Sequence, residues 1–307
     1  MTRGSLAGRD PRGKRVYPGT VPELPEVEIA ARRLTAALEG ATVESALAPG
    51  MVALKSVKPP LEAIVGARVE GVGRVGKMLR VEFAEAEGEG RLTLLVHLMS
   101  AGRLQLFDKR ASLRDRASRI LVRLDDGREL RLREFGTKQR AWGKLMASED
   151  VAADEMVATL GPEAWPAPSL EELAVIVAEP RHLHSLLRDQ RAIAGIGRSW
   201  VDEILWGARL SPFKKGSEVA AEEVEPLHAA LAVLGDAIAT YEKEVGETIP
   251  DKMPMPLQVH RREGEPCPRC GEAIAAVHYA ERITCYCPRE QTGGRILKDR
   301  RLSRLLK

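Results

Sequence analysis

The sequence predicts an α+β chain of several domains, with an N-terminal antiparallel β-sandwich behind a leading helix, then a helical module and a cysteine hairpin. Three observations predict this order. Strand-like alternation fills residues 40–147, helical spacing follows between 170 and 245, and all four cysteines lie between 267 and 287. At 307 residues, the chain is long enough for two domains with ordinary cores plus small appendages.

The first predicted element is the leading helix. Residues 1–21 are rich in Gly, Pro and Arg and show no periodic apolar face, which is typical of a disordered extension. From Glu26 to Leu38 apolar residues recur at helical spacing, and Pro25 suits the first turn of a helix. The apolar positions are Val27, Ala30, Ala31, Leu34 and Leu38.

Stretches with strand periodicity follow the helix. They read ARVEGVGRVGKMLRVEF, RLTLLVHLMSAGRLQLF and SRILVRLDDGRELRLREF, and turns rich in Gly or Asp separate them. The Asp-Asp-Gly turn at 125–127 is a strong hairpin signal. Together these stretches predict the antiparallel sandwich.

In the second half of the chain, the spacing of the apolar residues changes from that of strands to that of helices. Residues 160–169, LGPEAWPAPS, are rich in proline and are interpreted as a hinge. Helical spacing recurs at 170–178, 181–190, 198–208 and 217–245, and 256–288 alternates again. The predicted domains are an extension at 1–21, a sandwich at 22–147, a hinge at 148–169, a helical module at 170–255, a cysteine hairpin at 256–291 and a basic tail at 292–307.

Positive charge is concentrated at the two ends of the chain. The net charge is +3, whereas residues 1–21 alone carry +4 and residues 256–307 carry eleven Lys/Arg against six Asp/Glu. This favours an anionic partner at the C-terminal region, although solvated tails explain the charge equally well. The sequence has no apolar run of membrane-span length and no secretion signal, so we expect a cytoplasmic protein without a membrane partner.

Seven tracts occur in the same order as in one known family. They are PELPEVE (22–28), GKMLRVEF (76–83), HLMSAG (97–102), REFG (133–136), LGPE (160–163), GIGRSWVDEILWGARLSP (195–212) and LQVHRREGEPCPRC…ERITCYC (257–287). On these tracts, which extend over nearly the whole chain from Pro22 to Thr292, the sequence resembles the formamidopyrimidine-DNA glycosylase/endonuclease VIII family. The resemblance implies a helix–two-turns–helix element in the helical module and a zinc-ribbon-like hairpin behind it.

The resemblance implies that the amine of an N-terminal proline excises a damaged base. A secondary amine can attack C1′ of the deoxyribose and form an iminium ion, and an α-amino group titrates near pH 8, so part of it is unprotonated at neutral pH. Pro22 corresponds to this nucleophile, Glu23 to the acid that protonates the sugar ring oxygen and Glu26 to its supporting carboxylate. Lys77 corresponds to the lysine aimed at the lesion.

Pro22 lies inside the printed chain, where its nitrogen belongs to a peptide bond. We expect Val21 to be the true start, a GTG codon translated as methionine and then removed. Two alternatives stay open: a protease exposes Pro22, or the extension is kept and the amine chemistry is lost or passes to Lys77.

DNA contacts are also implied by the resemblance. Met99, Arg133 and Phe135 correspond to the side chains that fill the space of a flipped base. Met99 is displaced by one position, because the chain reads HLMSAG, and Glu134 replaces the usual arginine. A Met or a Phe in a strand is more often a core residue, and His97 is interpreted as a packed strand histidine.

Further phosphate contacts are expected in the second half. Gly195 and Gly197 permit a close backbone approach to phosphate before a helix, although a plain capping turn explains the motif equally well. Arg198 takes the place of a phosphate-binding asparagine, and Glu203 corresponds to the family's buried glutamate. Arg282 corresponds to the arginine at the hairpin tip that holds the phosphate beside the lesion.

The cysteine hairpin departs from the family pattern. Cys267, Cys270 and Cys287 fit three corners of a four-thiolate zinc site, and Glu290 stands where the fourth cysteine is expected. Either Glu290 or Cys285 could complete one structural zinc site. Weak metal binding, or none, is the alternative.

The leading functional hypothesis is a monomeric, bacterial, nucleoid-associated enzyme of base-excision repair. It would combine glycosylase and abasic-site lyase activity on double-stranded DNA that contains damaged bases or abasic sites. The alternative is a protein that binds damaged or abasic DNA without cutting it. The sequence leaves the preferred lesion open among 8-oxoguanine, formamidopyrimidines and oxidised pyrimidines.

Overall fold

The computed structural model of the chain describes residues 21–50, 52–85, 90–112, 115–135, 139–279 and 282–297, with the backbone of two short strands near the N-terminus. For Tyr279 and Arg282 the backbone alone is described. The chain divides into two compact units. The first comprises Met1–Thr159 and Ile238–Met255, and the second comprises Leu160–Ala237 and Pro256–Lys307.

The first unit contains one long helix and most of the strands. Its helices are α1 (Leu24–Leu38) and α2 (Glu155–Ala158), with 3-10 turns at Leu61–Ile64 and Ser148–Ala153. Its strands are β1 (Gly8–Arg9), β2 (Arg15–Val16), β3 (Val43–Leu47), β4 (Val69–Val75), β5 (Met78–Phe83), β6 (Leu92–His97), β7 (Gly102–Phe107), β8 (Ser118–Leu124), β9 (Glu129–Glu134) and β10 (Trp142–Ala147). The disorder predicted for the extension falls on residues outside the described ones, apart from β1 and β2, which pair with each other.

The predicted antiparallel sandwich is confirmed as two four-stranded sheets. Their strand orders are β10-β6-β5-β4 and β3-β8-β9-β7, and every neighbouring pair is antiparallel. The sheets pack so closely that a Cβ added to Gly143 in β10 would lie 2.6 Å from Ile120 Cδ1 in β8. The predicted apolar face of α1 is buried, with Val27 and Leu38 fully inaccessible.

Helix α1 lies along the edge strand β4. Thr35 Oγ1 bonds both the backbone N–H and the carbonyl of Val72, each at 2.8 Å, so a side chain replaces the missing strand neighbour. Nearer the start of α1, Glu28 pairs with Arg74 at 2.8 Å. The helix therefore runs antiparallel to β4, and its N-terminus lies at the turn between β4 and β5.

The second unit is helical and ends in the predicted hairpin. Its elements are α3 (Leu170–Val177), α4 (Leu183–Leu186), α5 (Arg198–Gly207), a 3-10 turn at Gly216–Glu218, α6 (Ala221–Ala230), β11 (Ala275–Tyr279), β12 (Arg282–Tyr286) and α8 (Pro288–Thr292). Helix α7 (Ala232–Glu244) begins in this unit and ends in the first. No helix among the described residues has both the length and the apolar character needed to cross a membrane.

One predicted helix is divided in the structure, and the interpretation of 160–169 as a hinge stays a prediction. The helix expected at 217–245 is split at Leu231, where hydrogen bonds from Leu231 N to His228 O and from Leu234 N to Leu231 O tighten the chain into i+3 turns. The proline-rich segment interpreted as a hinge is hydrogen-bonded within the second unit: Gly161 N donates to Gln190 O, and Ala194 N donates to Pro162 O.

Candidate active site

The N-terminal end of α1 buries two carboxylates beside Pro22. Pro22 is buried, and Glu23 and Glu26 are 1% and 6% exposed. Burying a carboxylate is costly unless it is hydrogen-bonded or paired. Glu26 Oε2 accepts a 2.9 Å bond from Glu23 N, and Glu26 Oε1 accepts a 2.6 Å bond from the Tyr241 hydroxyl. Both oxygens of Glu26 are thus held, and the carboxylate fixes the backbone next to Pro22.

Tyr241 is a site residue that the sequence analysis missed. Its side chain is fully buried, and burial together with the charge of Glu26 raises the pKa of Tyr241 well above its usual value. The hydroxyl therefore keeps its proton at any working pH and remains a donor. Its place on α7 is typical of an ordinary core residue. Because Tyr241 lies 215 positions from Glu26 in the sequence, no local pattern indicates the contact.

A buried arginine supplies positive charge at the same place. Arg103, Pro22 and Glu26 line one small pocket, together with Leu98 and Met253. Burial lowers the pKa of Arg103, while the charges of Glu26 and Asp251 oppose that shift. The guanidinium donates to Gly102 O at 2.7 Å and to Asp251 O at 3.1 Å. In the sequence Arg103 occupies one of the alternating polar positions of β7, so no local pattern distinguishes it from an exposed strand residue.

Replacing Tyr241 by Phe is expected to lower the catalytic rate constant about tenfold and to leave KM for lesion DNA unchanged, because the site loses alignment and not DNA contacts. The variant also removes the Tyr241 hydroxyl as a donor to a buried oxygen of Glu26, which costs about 1–3 kcal/mol of unfolding free energy. Tyr286→Phe is the matched control, since its buried hydroxyl accepts from Leu297 N at 2.6 Å in the second unit. A rate equal to wild type in Tyr241→Phe contradicts the assigned role.

Lys77 lies in the turn between β4 and β5, at the same end of the first unit as the start of α1. Burial of the His97 ring, together with the positive charge of Lys77, lowers the pKa of His97 to about 4. His97 Nδ1 accepts the backbone N–H of Met99 at 2.9 Å, so the neutral ring carries its proton on Nε2. The His97 ring also lies 5.8 Å from that of Trp142, in keeping with a packed strand histidine.

The loops that carry Met99 and Phe135 are neighbours. Phe135 N donates to Ala101 O at 3.4 Å, which joins the end of β9 to the turn between β6 and β7. Met99 is half-buried and has a positive φ of 51°, an uncommon conformation for a residue other than glycine. Phe135 is 48% exposed, and the Arg133 guanidinium lies 4.6 Å from its ring centroid. Arg133 and Phe135 together form a cationic and aromatic tip of the kind that can insert between bases.

Glu134, which departs from the family pattern, has a structural role. It is 3% exposed, and its carboxylate accepts backbone N–H groups from Arg140 at 2.7 Å and from Ala141 at 3.1 Å. It thereby closes the loop after Phe135, of which residues 136–138 lie outside the described residues.

The glycine motif of the second unit forms an ordered turn before α5. Gly195 has a φ of 98°, and the Gln190 side chain bridges the turn by accepting from Gly195 N at 3.0 Å and donating to Ile196 O at 2.9 Å. Gly197 is the N-cap residue of α5 and Arg198 is its first residue. The helix N-terminus therefore lies behind a fixed turn, which is the arrangement that binds phosphate in other proteins.

Two buried carboxylates of α5 hold the start of the hairpin. Glu203 accepts three backbone N–H groups at 2.9 Å, from Gln258, Val259 and His260. Asp202 Oδ2 accepts from Cys285 N at 2.9 Å and contacts His260 Nδ1 at 2.7 Å. Burial alone would raise the pKa of Asp202, but hydrogen bonds from His184 and His260 outweigh it and leave that pKa lowered.

Three thiols of the hairpin are placed so that they could hold one metal ion. The sulfur atoms of Cys267, Cys270 and Cys287 lie within 4.8 Å of one another. Trp206 Nε1 donates to Cys267 Sγ at 3.4 Å, a contact that suits a thiolate. Cys285 lies outside this group, and its sulfur accepts the Arg261 N–H at 3.2 Å. Glu290 also lies outside it.

Arg282 begins β12, but its side chain lies outside the described residues, as do residues 280 and 281 at the hairpin tip. Its expected phosphate contact therefore stays a prediction.

Comparison with known proteins decides the family. The model for the formamidopyrimidine-DNA glycosylase N-terminal domain matches residues 21–140, and the model for the H2TH domain of the same enzyme matches residues 160–248. A formamidopyrimidine-DNA glycosylase of Roseiflexus sp. (strain RS-1) is 33% identical over 286 residues, which cover 87% of this chain and 98% of the relative. The chain belongs to the formamidopyrimidine-DNA glycosylase family. This confirms the predicted family and enzyme class.

Other family members agree with this assignment. An uncharacterised formamidopyrimidine-DNA glycosylase-like protein of Mycobacterium tuberculosis is 37% identical over 149 residues, covering 48% of this chain and 94% of the relative. The solved complex of Lactococcus lactis Fpg with DNA containing an abasic site has a TM-score of 0.77 and 23% identity, and covers 88% of this chain and 99% of that chain. At this identity the likeness concerns the fold, and it confirms the predicted fold class.

Proposed function

We propose that this chain excises oxidised bases from double-stranded DNA and then cleaves the abasic site through a Schiff base on the Pro22 nitrogen. One observation carries the proposal: Pro22 is buried directly before two buried carboxylates, and hydrogen bonds fix the position of one of them, Glu26. Relatives named formamidopyrimidine-DNA glycosylase support the reaction. The damaged or abasic DNA in solved complexes of the Lactococcus lactis enzyme supports the substrate.

In the first step, the lone pair of the Pro22 nitrogen attacks C1′ of the deoxyribose. The bond between C1′ and the base breaks, and the base leaves with its electron pair and takes up the proton that the amine loses when the N–C1′ bond forms. Glu23 delivers a proton to the ring oxygen, so the C1′–O4′ bond breaks and an iminium ion remains on the nitrogen. Glu26 does not touch the sugar in this scheme. It positions Glu23 and is itself held by Tyr241.

In the second step, the iminium ion acidifies the C2′ proton. Loss of that proton expels the 3′ phosphate by β-elimination, and a following δ-elimination expels the 5′ phosphate. Water then hydrolyses the iminium ion and regenerates the amine. Each step requires a nitrogen that is not acylated, so we propose that the active form begins at Pro22.

Three groups of residues would hold the DNA. The tip formed by Arg133 and Phe135 would fill the space of the flipped base, with Met99 in the neighbouring loop, since an exposed aromatic ring beside a guanidinium suits stacking. The turn at Gly195 and Gly197, with Arg198, would bind phosphate. Lys77, at the same end of the first unit as Pro22, would approach the lesion.

A zinc ion would be structural and would be bound by Cys267, Cys270 and Cys287. Their spacing, together with the indole N–H that Trp206 directs at Cys267, supports this assignment. The ion would tie the hairpin together and take no part in the reaction. We further propose that the protein acts as a monomer on the bacterial chromosome in the cytoplasm; bacterial relatives support the bacterial setting.

The peptide bond between Val21 and Pro22 favours a second candidate, a protein that binds damaged or abasic DNA without cutting it. A panel of duplexes with 8-oxoguanine, a formamidopyrimidine, an oxidised pyrimidine or an abasic site separates the two. Protein that begins at Pro22 is expected to cut at least one lesion duplex and the abasic duplex. Tight binding of the panel without any cleavage supports the second candidate.

A further inference from the structure

Glu290 stands three positions after Cys287, where the family spacing expects a fourth metal ligand. Its side chain is turned to two arginines: Glu290 Oε2 lies 2.9 Å from Arg269 and 3.3 Å from Arg209. These contacts are ion pairs without hydrogen-bond alignment. The carboxylate is only 14% exposed, so the two cations provide most of its charge compensation. The backbone N–H of Glu290, by contrast, bonds the sulfur of Cys287.

Arg269 connects Glu290 to the end of α5. It lies between Cys267 and Cys270, and its guanidinium lies 3.9 Å from the ring centroid of Trp206. It also donates to the carbonyls of Trp206 and Gly207, which are C-terminal acceptors of α5. A single side chain thus caps α5, stacks on its tryptophan and pairs with α8.

Arg209 approaches the same carboxylate from the residues that follow α5. Its backbone is left-handed, with a φ of 58°. For Glu290 to bind a metal ion, it would have to leave both guanidinium groups, and the ion would add a third positive charge near the two that remain. Electrostatics therefore favour the pairing that the structure shows.

We propose that Glu290, Arg269 and Arg209 form an ionic clamp that replaces the fourth metal ligand, so that three thiolates alone bind the metal. The clamp joins the turn at Cys267–Cys270 to helix α8, as a fourth ligand at position 290 would, and it also joins both to the end of α5. This inference rests on the proposed metal site and is independent of the glycosylase chemistry.

Metal binding by full-length variants tests the first half of the proposal. Zn²⁺ affinity is measured by competition with a chromophoric chelator, and Co²⁺ replaces Zn²⁺ for absorption spectroscopy. Glu290→Gln is expected to change Zn²⁺ affinity less than about threefold and to leave the Co²⁺ spectrum unchanged. Glu290→Cys is expected to raise affinity more than about tenfold and to add thiolate-to-cobalt intensity.

A loss above about tenfold in Glu290→Gln, with a changed Co²⁺ spectrum, makes Glu290 a ligand and overturns the proposal. Wild-type protein that binds neither ion overturns the three-thiolate site. That result leaves the proposed glycosylase activity untouched, because activity is measured separately on lesion DNA.

Unfolding of the metal-free chain tests the clamp itself. Urea midpoints are compared for Arg269→Gln, Glu290→Gln and the double variant in excess chelator, with Arg289→Gln as the control for an exposed charge on the same helix. We expect each single change in the clamp to lower the midpoint, and the double variant to lower it by less than the sum of the two single changes, because the pair that they share is lost only once. Fully additive shifts, or shifts no larger than that of Arg289→Gln, overturn the clamp.

Discussion

Protein that begins at Pro22 is expected to cut a duplex with an oxidised base on the order of 10³-fold faster than protein that keeps a residue joined to the Pro22 nitrogen. The lone pair of an amide nitrogen is delocalised into the carbonyl group, so it cannot attack C1′. A free secondary amine titrates near 8 and is partly unprotonated at neutral pH. The difference should therefore appear in the chemical step and not in DNA binding.

Single-turnover cleavage measures this difference directly. One protein is made with Met in place of Val21, so that removal of the methionine frees Pro22, and the matched control carries one additional glycine ahead of Pro22. Intact mass confirms each N-terminus before and after the reaction. Both forms should bind an uncut abasic-site analogue with similar affinity. Equal cleavage rates would mean that the Pro22 nitrogen is not the nucleophile.

The second large effect is expected for Glu23→Gln. An amide cannot donate the proton that the ring oxygen requires, and a positioned general acid contributes about 10²–10⁴-fold. We therefore expect a loss in that range for excision of an oxidised base. On a preformed abasic site the loss should stay below about tenfold, because this substrate has no base to expel and its sugar opens without the enzyme.

The comparison of these two substrates separates chemistry from folding. Glu28→Gln is the control, since Glu28 lies on the same helix but pairs with Arg32 and Arg74. It should leave both rates near wild type. Equal losses on the two substrates in Glu23→Gln would show that this residue maintains the site and does not act as the acid.

Short-range patterns predicted most of the fold. The apolar spacing of α1 and the alternation in the strands are local signals, and both describe residues that are buried in the structure. The helix predicted at 181–190 is reduced to α4, because the residues after Leu186 turn back: Asp189 N donates to Leu186 O and Ala192 N donates to Asp189 O. Side-chain periodicity does not record such backbone turns.

The candidate site was predictable only in part. The family resemblance indicated Pro22, Glu23, Glu26 and Lys77, because they belong to short tracts that match the family. Tyr241 could not be found in this way, because its contact with Glu26 arises when residues far apart in the chain fold together. The ion pairs of Glu290 are likewise tertiary, so the sequence could show that a cysteine is missing but not what the replacement does.

The central claim is that the Pro22 nitrogen bonds covalently to the sugar. Borohydride reduces the imine during reaction with an abasic duplex, and digestion followed by mass spectrometry locates the sugar fragment on the chain. We expect the fragment on the nitrogen of Pro22 in protein that begins there, and no fragment on Pro22 in the form with an additional glycine, where that nitrogen is acylated. A fragment on Lys77, or no adduct from any form, would contradict the account.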